Sequence, residues 1–411
     1  MMCHLVMNGQ QIQPSEGGEF LLKNGQVYDH EEGLMKADLY IKDGMIEAVG
    51  PALVFPEAKV IDCEGLDIYP GMIDSGTQLG LAEIGAVSLT QDHNEIGTYT
   101  PHMEALTAIN PNSVNIPVNR VNGITTVISK PSRGLLPGKA VLIDLHGYTP
   151  KQMYAGFKGV VLNFPSSGKR GRFDRRSEED IAKQSKKNLK KLNDFWKNAK
   201  VYAGLKNKGD YNPQMDAVVD IVNGTAPLML EVNKKSDILN AIAWVNKMEV
   251  KAIFTGMAEG YRVIDSLVKY NIPVITGPIL NNPSRSSDKY DVGYSNAGLM
   301  QKAGIKVALR TNETENVRNL PYNAGFAATY GMGFKEAFKA ITIVPAEHFG
   351  VADKYGSLSE GKYANLFVTN GDPFETKTQV QHLFIRGWKV PLESRHTLLY
   401  DEFLERNPGL K

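Results

Sequence analysis

Short apolar runs alternate with segments of helical periodicity through the central part of the chain. Six largely apolar runs, each three to five residues long, recur at residues 124–128, 159–162, 228–230, 251–254, 272–275 and 305–309. Runs of this length are typical of strands that are buried on both faces of a parallel sheet. The pattern therefore predicts a sheet of parallel strands with helices packed against its faces.

Two of the segments between these runs have a clear helical period. Ser236 is a residue type that caps helices, and Ile238 and Ile242 fall on one side of the helix that it would begin. Because strands and helices alternate over about 280 residues, we predict an α/β fold in which residues 69–349 form a (β/α)8 TIM-like barrel. A doubly wound open sheet is the alternative, but no glycine-rich fingerprint opens any of the predicted helices.

Both ends of the chain have shorter strand patterns with turn residues between them. These patterns lie at residues 20–28, 37–41, 45–50, 59–62, 356–368 and 382–387. The Asn24-Gly25 pair predicts a hairpin within the first of them. Each terminal set is too short to bury a sheet face alone. We therefore predict that residues 1–68 and 350–411 combine into one small composite β-sandwich domain.

Composition and charge exclude several classes of protein. The chain has 411 residues, of which 42% are apolar and 22% are charged, and these are the proportions of an ordinary globular protein. Its formal net charge of +1 provides no field for nucleic acid or a membrane surface, and we expect neither as a partner. Cys3 and Cys63 are too few for a disulfide framework, so both are predicted to be plain thiols.

The first residues have no basic segment followed by a long apolar segment, which a secretory signal would require. We therefore expect a cytoplasmic location, although a leader missing from this chain would change that expectation.

Residues 168–200 are rich in lysine and arginine, and Ser177 followed by Asp180 predicts a helix start there. A solvated barrel helix explains these cations, and contact with nucleic acid or an acidic partner is the alternative, although no recognised binding module accompanies them.

Five sequence segments occur in the order found in one known superfamily. Near the predicted first strand the chain reads Pro-Gly-Met-Ile-Asp at residues 70–74, and Gly-Ile-Thr-Thr-Val follows at residues 123–127. The closing segments are residues 319–325, 340–346 and 356–366. Through these segments the chain resembles the amidohydrolase superfamily, in the branch of imidazolonepropionase-like and Xaa-Pro dipeptidase-like proteins. The resemblance implies a TIM barrel and hydrolysis of carbon–nitrogen bonds at a metal centre.

The same resemblance implies that this chain has other residues where the superfamily has metal ligands. The strand-one histidine pair of the superfamily falls on Gly76 and Gln78, and its strand-four lysine or glutamate falls near Leu162. The strand-five histidines fall on Glu231 and Asn233. The strand-six histidine falls on Thr255, and the strand-eight aspartate falls on Asn312. A hydrolytic metal is typically held by three protein ligands with lone pairs. Glu231 is the one good ligand in the set, so we expect neither a metal nor another cofactor.

Other groups could replace these ligands only if they lay near the predicted mouth. The eight histidines are scattered without a pair at ligand spacing, and His93 and His102 are the two that follow strand one. The candidate ligand-binding residues are Gln78, Lys130, Asn233, Arg310, Glu313 and Arg318, and the candidate catalytic residues are Glu231, Asn312 and Thr255.

Three interpretations of these residues remain open at the sequence level. They could satisfy one another in a buried polar network. They could line a small-molecule pocket, in which Arg310 and Arg318 would hold a carboxylate and Glu231 and Asn312 would read an amide or amine. They could also catalyse a reaction without metal, with Glu231 as the base and Thr255 as the nucleophile.

The leading functional hypothesis is a pseudo-hydrolase that binds a small polar ligand or a partner protein. The alternative is a hydrolase of a carbon–nitrogen bond, in a cyclic amide or a dipeptide, that uses a non-standard or metal-independent mechanism. A subunit or scaffold without any ligand is the third class. Resemblance to the superfamily also makes a homo-oligomer an expectation.

Overall fold

The structure is a computed structural model, and it describes residues 14–168, 174–205, 209, 211–283, 285 and 287–406. Cys3 and the cations at residues 169–173 therefore lie outside the described residues. In the N-terminal part the strands are β1 (Phe20–Lys23), β2 (Gln26–Asp29), β3 (Gly33–Lys36), β4 (Asp38–Lys42), β5 (Met45–Gly50), β6 (Lys59–Asp62) and β7 (Asp67–Pro70).

Eight further strands form one sheet in sequential order. They are β8 (Met72–Thr77), β9 (Ile124–Ser129), β10 (Gly138–Asp144), β11 (Tyr154–Asn163), β12 (Leu228–Val232), β13 (Ala252–Gly256), β14 (Val274–Thr276) and β15 (Val307–Leu309). All neighbouring pairs are parallel except those of β10, which is antiparallel to both β9 and β11. The predicted barrel is therefore confirmed, with one reversed strand that the sequence pattern did not reveal.

The two edges of this sheet meet, so that it forms a nearly closed barrel. Just beyond β15, the Asn312 backbone N–H donates to the Gly76 carbonyl at 2.9 Å, and the Gln78 N–H donates to the Glu313 carbonyl at 3.0 Å. The barrel interior is filled by one or more buried apolar side chains from every strand, including Ile73, Ile128, Leu142, Val161, Met229, Ile253, Ile275 and Ala308. The barrel interior is therefore a packed apolar core.

The last three strands are β16 (Leu366–Thr369), β17 (Val380–Ile385) and β18 (Trp388–Val390). They continue a six-stranded sheet in the order β18-β17-β16-β7-β2-β3, which joins both ends of the chain, and a second sheet has the order β5-β4-β1-β6. Separate β-sheets from the termini are thus confirmed, while the boundaries at residues 68 and 350 stay predictions. The Asn24-Gly25 hairpin is wrong, because β1 and β2 belong to different sheets.

The helices lie mainly between the barrel strands. They are α1 (Ala105–Ala108), α2 (Asn115–Arg120), α3 (Pro150–Met153), α4 (Glu178–Ala203), α5 (Pro213–Asp216), α6 (Val219–Val222), α7 (Lys235–Met248), α8 (Ile264–Lys269), α9 (Val292–Lys302), α10 (Leu320–Ala327), α11 (Phe334–Lys339), α12 (Ile343–His348) and α13 (Arg395–Glu405). Ser177 caps α4 as predicted, because its hydroxyl accepts from the Asp180 N–H at 3.0 Å. Ser236 is not a cap, since α7 begins one residue before it.

A buried polar network joins the lower end of the barrel to the C-terminal strands. Asp144, at the end of the reversed strand β10, accepts from Arg386 Nε at 2.6 Å, from the Tyr355 hydroxyl and the Asn365 amide at 2.9 Å each, and from the Thr126 hydroxyl at 3.0 Å. Each oxygen of this carboxylate therefore accepts two hydrogen bonds. Among the described residues, no helix combines the length and the hydropathy needed to cross a membrane.

Candidate functional site at the barrel mouth

Four polar side chains meet where the barrel strands end. Lys130 follows β9, Glu231 and Thr255 lie near the ends of β12 and β13, and Arg310 follows β15. Parallel strands bring their carboxyl ends to the same side of a barrel, and this side carries the active sites of TIM-barrel enzymes. The sequence analysis correctly placed these residues at one end of the fold.

Arg310 and Glu231 form a two-pronged ion pair at the centre of this cluster. Arg310 Nη1 donates to Glu231 Oε2 and Nη2 donates to Oε1, each at 2.6 Å. The Arg310 side chain is 4% exposed and that of Glu231 is 19% exposed. The Arg310 Nε also donates to the Gly277 carbonyl at 3.2 Å. This guanidinium is therefore already engaged, and it is not free to hold a ligand carboxylate as the sequence analysis expected.

Lys130 adds a second positive charge to the cluster. Its ammonium lies 3.5 Å from Glu231 Oε2, and its side chain is only 6% exposed. Burial lowers the pKa of Lys130, and the charge of Glu231 opposes that change. Burial alone would raise the pKa of Glu231, but the charges of Arg310 and Lys130 hold it well below its ordinary value. Glu231 is therefore ionised at neutral pH.

Two glycines make room for the cluster. A Cβ atom at Gly76 would lie 3.0 Å from Cδ of Arg310, so the arginine stem occupies the space above this strand-one position. A Cβ atom at Gly256, where φ is +90°, would lie 2.7 Å from Glu231 Oε1 and 2.5 Å from Asn233 Oδ1. The lack of a side chain at Gly76 is thus what admits Arg310. A glycine in place of a histidine opposite an arginine was the sequence signal for this packing.

Asp74 and Thr311 fix the chain beside Arg310, and the sequence analysis assigned them no role. The buried Asp74 carboxyl accepts from the Thr311 hydroxyl at 2.5 Å, from the Thr311 N–H at 3.2 Å and from the Gly76 N–H at 3.0 Å. Burial raises the pKa of Asp74 to about 7, against the effect of these hydrogen bonds. Asp74 therefore ties the end of β8 to the segment that carries Arg310.

A polar cleft of about 410 Å³ opens beside the cluster, between the loops that follow β8 and β15. Gln78, Asn312 and Glu313 line it together with His93 and Glu83. Glu83 is engaged by the Asn110 amide and the Ser113 hydroxyl, at 2.9 and 3.0 Å, and His93 Nδ1 lies 2.8 Å from the Ser132 hydroxyl. Three of the predicted site residues therefore share one cleft.

The remaining predicted residues lie at different distances from this centre. The Asn233 amide donates to Glu231 Oε1 at 3.4 Å and belongs to the cluster. Arg318 does not, because its guanidinium donates to the Glu315 carbonyl at 2.9 Å and to Asn316 Oδ1 at 3.1 Å. The strand register pairs Asn163 with Glu231, so Asn163 rather than Leu162 stands beside it on the strand-four side.

The chemistry of these donors does not fit the metal that the resemblance implies. Within the described residues, no group of three or more histidine, cysteine, aspartate or glutamate side chains lies close enough together to hold a metal ion. Glu231 is a good ligand type, but both of its oxygens accept from Arg310. A divalent ion placed there would also face two cationic side chains. No reaction step through a metal is therefore derived for this site.

The cluster also contains the pairing that metal-free catalysis would need. The Thr255 hydroxyl donates to Glu231 Oε2 at 2.9 Å, which is the geometry of a nucleophile beside its base. A general base works best when its pKa is near the operating pH. The lowered pKa of Glu231 makes this carboxylate a weak base, so the geometry is present without the required proton affinity.

The chain forms a nearly closed eight-stranded barrel with polar side chains at the strand ends, and a sheet from both termini is attached to it. This architecture defines a TIM-barrel protein. A family model described as Amidohydrolase family matches residues 247–390. D-hydantoinase of Geobacillus stearothermophilus is 37% identical over 89 residues, which are 22% of this chain and 18% of that protein. The matched region therefore covers less than a fifth of the length of this relative.

Solved structures extend the likeness to almost the whole chain. An amidohydrolase from Thermotoga maritima MSB8 superposes with a TM-score of 0.78 at 25% identity, over 90% of this chain and 99% of that one. An Xaa-Pro dipeptidase with bound methionine in the active site has a TM-score of 0.55 at 13% identity, over 91% and 100% of the chains, which is a likeness of fold. The chain therefore matches the amidohydrolase family model over residues 247–390 and has the fold of solved amidohydrolases over nearly its whole length, in agreement with the resemblance of its motifs.

Proposed function

We propose that this protein is a pseudo-hydrolase, an amidohydrolase-fold protein that binds a small polar ligand at the barrel mouth and does not carry out metal-dependent hydrolysis. The observation that carries the proposal is the Arg310 fork on Glu231 above Gly76. A guanidinium lies beside the first-strand position where the superfamily resemblance implies a histidine ligand.

The charge of the cluster supports this proposal. Arg310 and Lys130 together contribute two positive charges around the single negative charge of Glu231. Coulomb repulsion between a divalent ion and these cations would be on the order of several kcal/mol at the effective dielectric of a partly buried site. Displacing Arg310 from Glu231 would in addition leave a buried guanidinium without its carboxylate partner.

The cleft beside the cluster indicates the kind of ligand. The side chains of Gln78, Asn312 and Glu313 provide amide groups and a carboxylate, and none of the described residues that line this cleft is a lysine or an arginine. Amides both donate and accept hydrogen bonds, whereas a carboxylate only accepts. A small molecule with an amide or an amine group fits this set better than an anion does.

Two assays test the proposal. The first incubates the protein with hydantoin and with an Xaa-Pro dipeptide, in the presence of Zn²⁺, of Mn²⁺ or of a chelator. These substrates follow from the names of the similar proteins. We expect no hydrolysis above the buffer rate under any condition. Turnover that requires metal would refute the proposal.

The second assay measures binding of glycinamide, which carries an amine and an amide, by ligand-observed NMR. We expect Gln78→Ala and Asn312→Ala to weaken binding severalfold, because each removes a hydrogen-bonding group from the cleft. Gln379→Ala is the matched control, since Gln379 is an exposed amide in the segment before β17. Equal binding by all variants would contradict the assignment of this cleft.

The alternative function is a metal-independent hydrolase of a carbon–nitrogen bond. The hydrogen bond between Thr255 and Glu231 favours it, and the low pKa of Glu231 weighs against it. Hydrolysis that persists with a chelator and is abolished in both Glu231→Gln and Thr255→Val would establish this alternative in place of the pseudo-hydrolase.

A further inference from the structure

A second cavity, of about 450 Å³, lies along helix α2. The segment that follows β10 forms part of its wall, and the Leu145 N–H donates to the Thr125 carbonyl near the start of β9 at 2.8 Å. Helices α2 and α13 contact each other beside it. Among the described residues, this cavity and the cleft at the mouth share no lining residue, and the hydrogen bond from the Ser113 hydroxyl to Glu83 at 3.0 Å connects their walls.

Arg120, the last residue of α2, lines this cavity and is only 8% exposed. Its Nη1 donates to the Leu145 carbonyl at 3.3 Å, and its Nε is buried with no hydrogen-bond partner among the described residues. Arg120 forms no ion pair within the described part of the chain. A guanidinium has five N–H donors, so most of the hydrogen-bonding capacity of Arg120 is unused.

A buried charge without a counter-charge is costly, and such groups are rare in folded proteins. Burial lowers the pKa of Arg120 to about 10, so the guanidinium still carries its charge at neutral pH. Asp144, which precedes the cavity-lining Leu145, already accepts from Arg386 and three other groups. Residues 1–13, which precede the cavity residue Pro14, contain no aspartate or glutamate.

The rest of the cavity lining is complementary to a negative charge. Arg395 contributes a second guanidinium from the first turn of α13, and Ser15, Asn112 and His146 provide further polar groups. None of the described residues that line the cavity is acidic. The volume is within the range of small-molecule sites and larger than a single inorganic ion needs.

We propose that this cavity, the Arg120 pocket, binds the oxyanion group of a small organic molecule, either a phosphate or a carboxylate. Arg120 supplies a charge and unused N–H groups inside the pocket, and Arg395 supplies a second charge at its rim. Ile116 and Met153 form an apolar wall that would contact the body of the molecule.

The test measures the thermal midpoint of the full chain with increasing inorganic phosphate or acetate, against chloride at constant ionic strength. We expect a saturable rise for at least one of the two anions, and the anion with the lower apparent Kd identifies the oxyanion class. Arg120→Met should abolish the rise. It should also raise the midpoint without anion, because an uncompensated buried charge is removed.

Arg395→Met is the second variant, since Arg395 is exposed and its loss should leave the fold intact. We expect it to weaken the apparent affinity about tenfold, which is the effect of one charge-assisted hydrogen bond. Arg175→Met, at an exposed arginine before α4, is the control and should respond like the wild type. The absence of a saturable rise with both anions, or equal rises in all four proteins, would overturn the proposal.

Discussion

Replacing Arg310 by methionine is the most informative perturbation of the barrel mouth. Methionine retains much of the arginine stem that packs over Gly76 but removes both N–H contacts to Glu231. At the 3.5 Å that separates Lys130 from Glu231, one ion pair amounts to about 5 kcal/mol at an effective dielectric of 20 before the cost of desolvation. Glu231 would keep this one partner.

Breaking a buried ion pair from one side typically costs about 3 to 5 kcal/mol. Lys130 remains beside Glu231 in this variant, and 19% of the Glu231 side chain reaches solvent. We therefore expect the lower end of that range, a loss of about 3 kcal/mol in the free energy of unfolding. The measurement is urea denaturation followed by circular dichroism at pH 7.

Glu231→Gln and the double variant complete a thermodynamic cycle. We expect the double variant to be more stable than the sum of the two single effects predicts, with a coupling energy of about 2 kcal/mol. Arg175→Met is the control, and an exposed substitution of this kind should change stability by less than about 0.5 kcal/mol. A loss below about 1 kcal/mol in Arg310→Met, or no coupling, would refute the reasoning.

Three further predictions concern other parts of the fold. Burial raises the pKa of Asp74 to about 7, above its ordinary value of 3.8, so the folded state binds an extra proton between these two pH values. The free energy of unfolding should therefore fall by up to about 1.4 kcal/mol per pH unit as the pH rises from about 4 to 7. Asp74→Asn should flatten that dependence in urea titrations. Arg386→Met should lower the free energy of unfolding by about 3 kcal/mol, because Asp144 loses its ionic partner, and a value near zero would contradict the role of that network. Burial raises the pKa of the free thiol of Cys63 to about 12. In a Cys3→Ser background, iodoacetamide should therefore label the native protein far more slowly than the unfolded protein. Equal labelling rates would show that the thiol is accessible.

The barrel could be predicted because strands that are buried on both faces leave an apolar run whatever their surroundings. The direction of β10 could not be predicted in this way, since a reversed strand has the same side-chain pattern. Its direction depends on the connections: only residues 130–137 separate it from β9, and antiparallel neighbours need no crossover helix. The short connection was the signal that would have identified the reversed strand.

Local turn signals were reliable only where the flanking strands also pair with each other. The turn at residues 42–44 joins β4 and β5, which are antiparallel neighbours. The Asn24-Gly25 turn separates β1 from β2, and these strands pair with different partners, β4 and β6 in one sheet and β3 and β7 in the other. Sheet membership is decided by contacts between distant segments, which the turn residues do not encode.

The location of the candidate site was predictable, but its internal pairing was not. Strand ends of a barrel meet at one side, so Lys130, Glu231, Thr255 and Arg310 could be grouped from the sequence. The contact between Arg310 and Glu231 depends on side-chain directions and on the space above Gly76. The sequence analysis therefore assigned Arg310 to a ligand, whereas the structure pairs it with Glu231.

The central claim is that the positive charges of Arg310 and Lys130 stand beside Glu231 where a metal ion would otherwise bind in this barrel. Metal content is the most direct test of that claim. The protein should be expressed in medium supplemented with Zn²⁺ and Mn²⁺, purified without chelators, and analysed by inductively coupled plasma mass spectrometry together with Glu231→Gln. We predict that neither protein retains a stoichiometric transition metal. A full equivalent of metal in the wild type that is lost in Glu231→Gln would contradict the account.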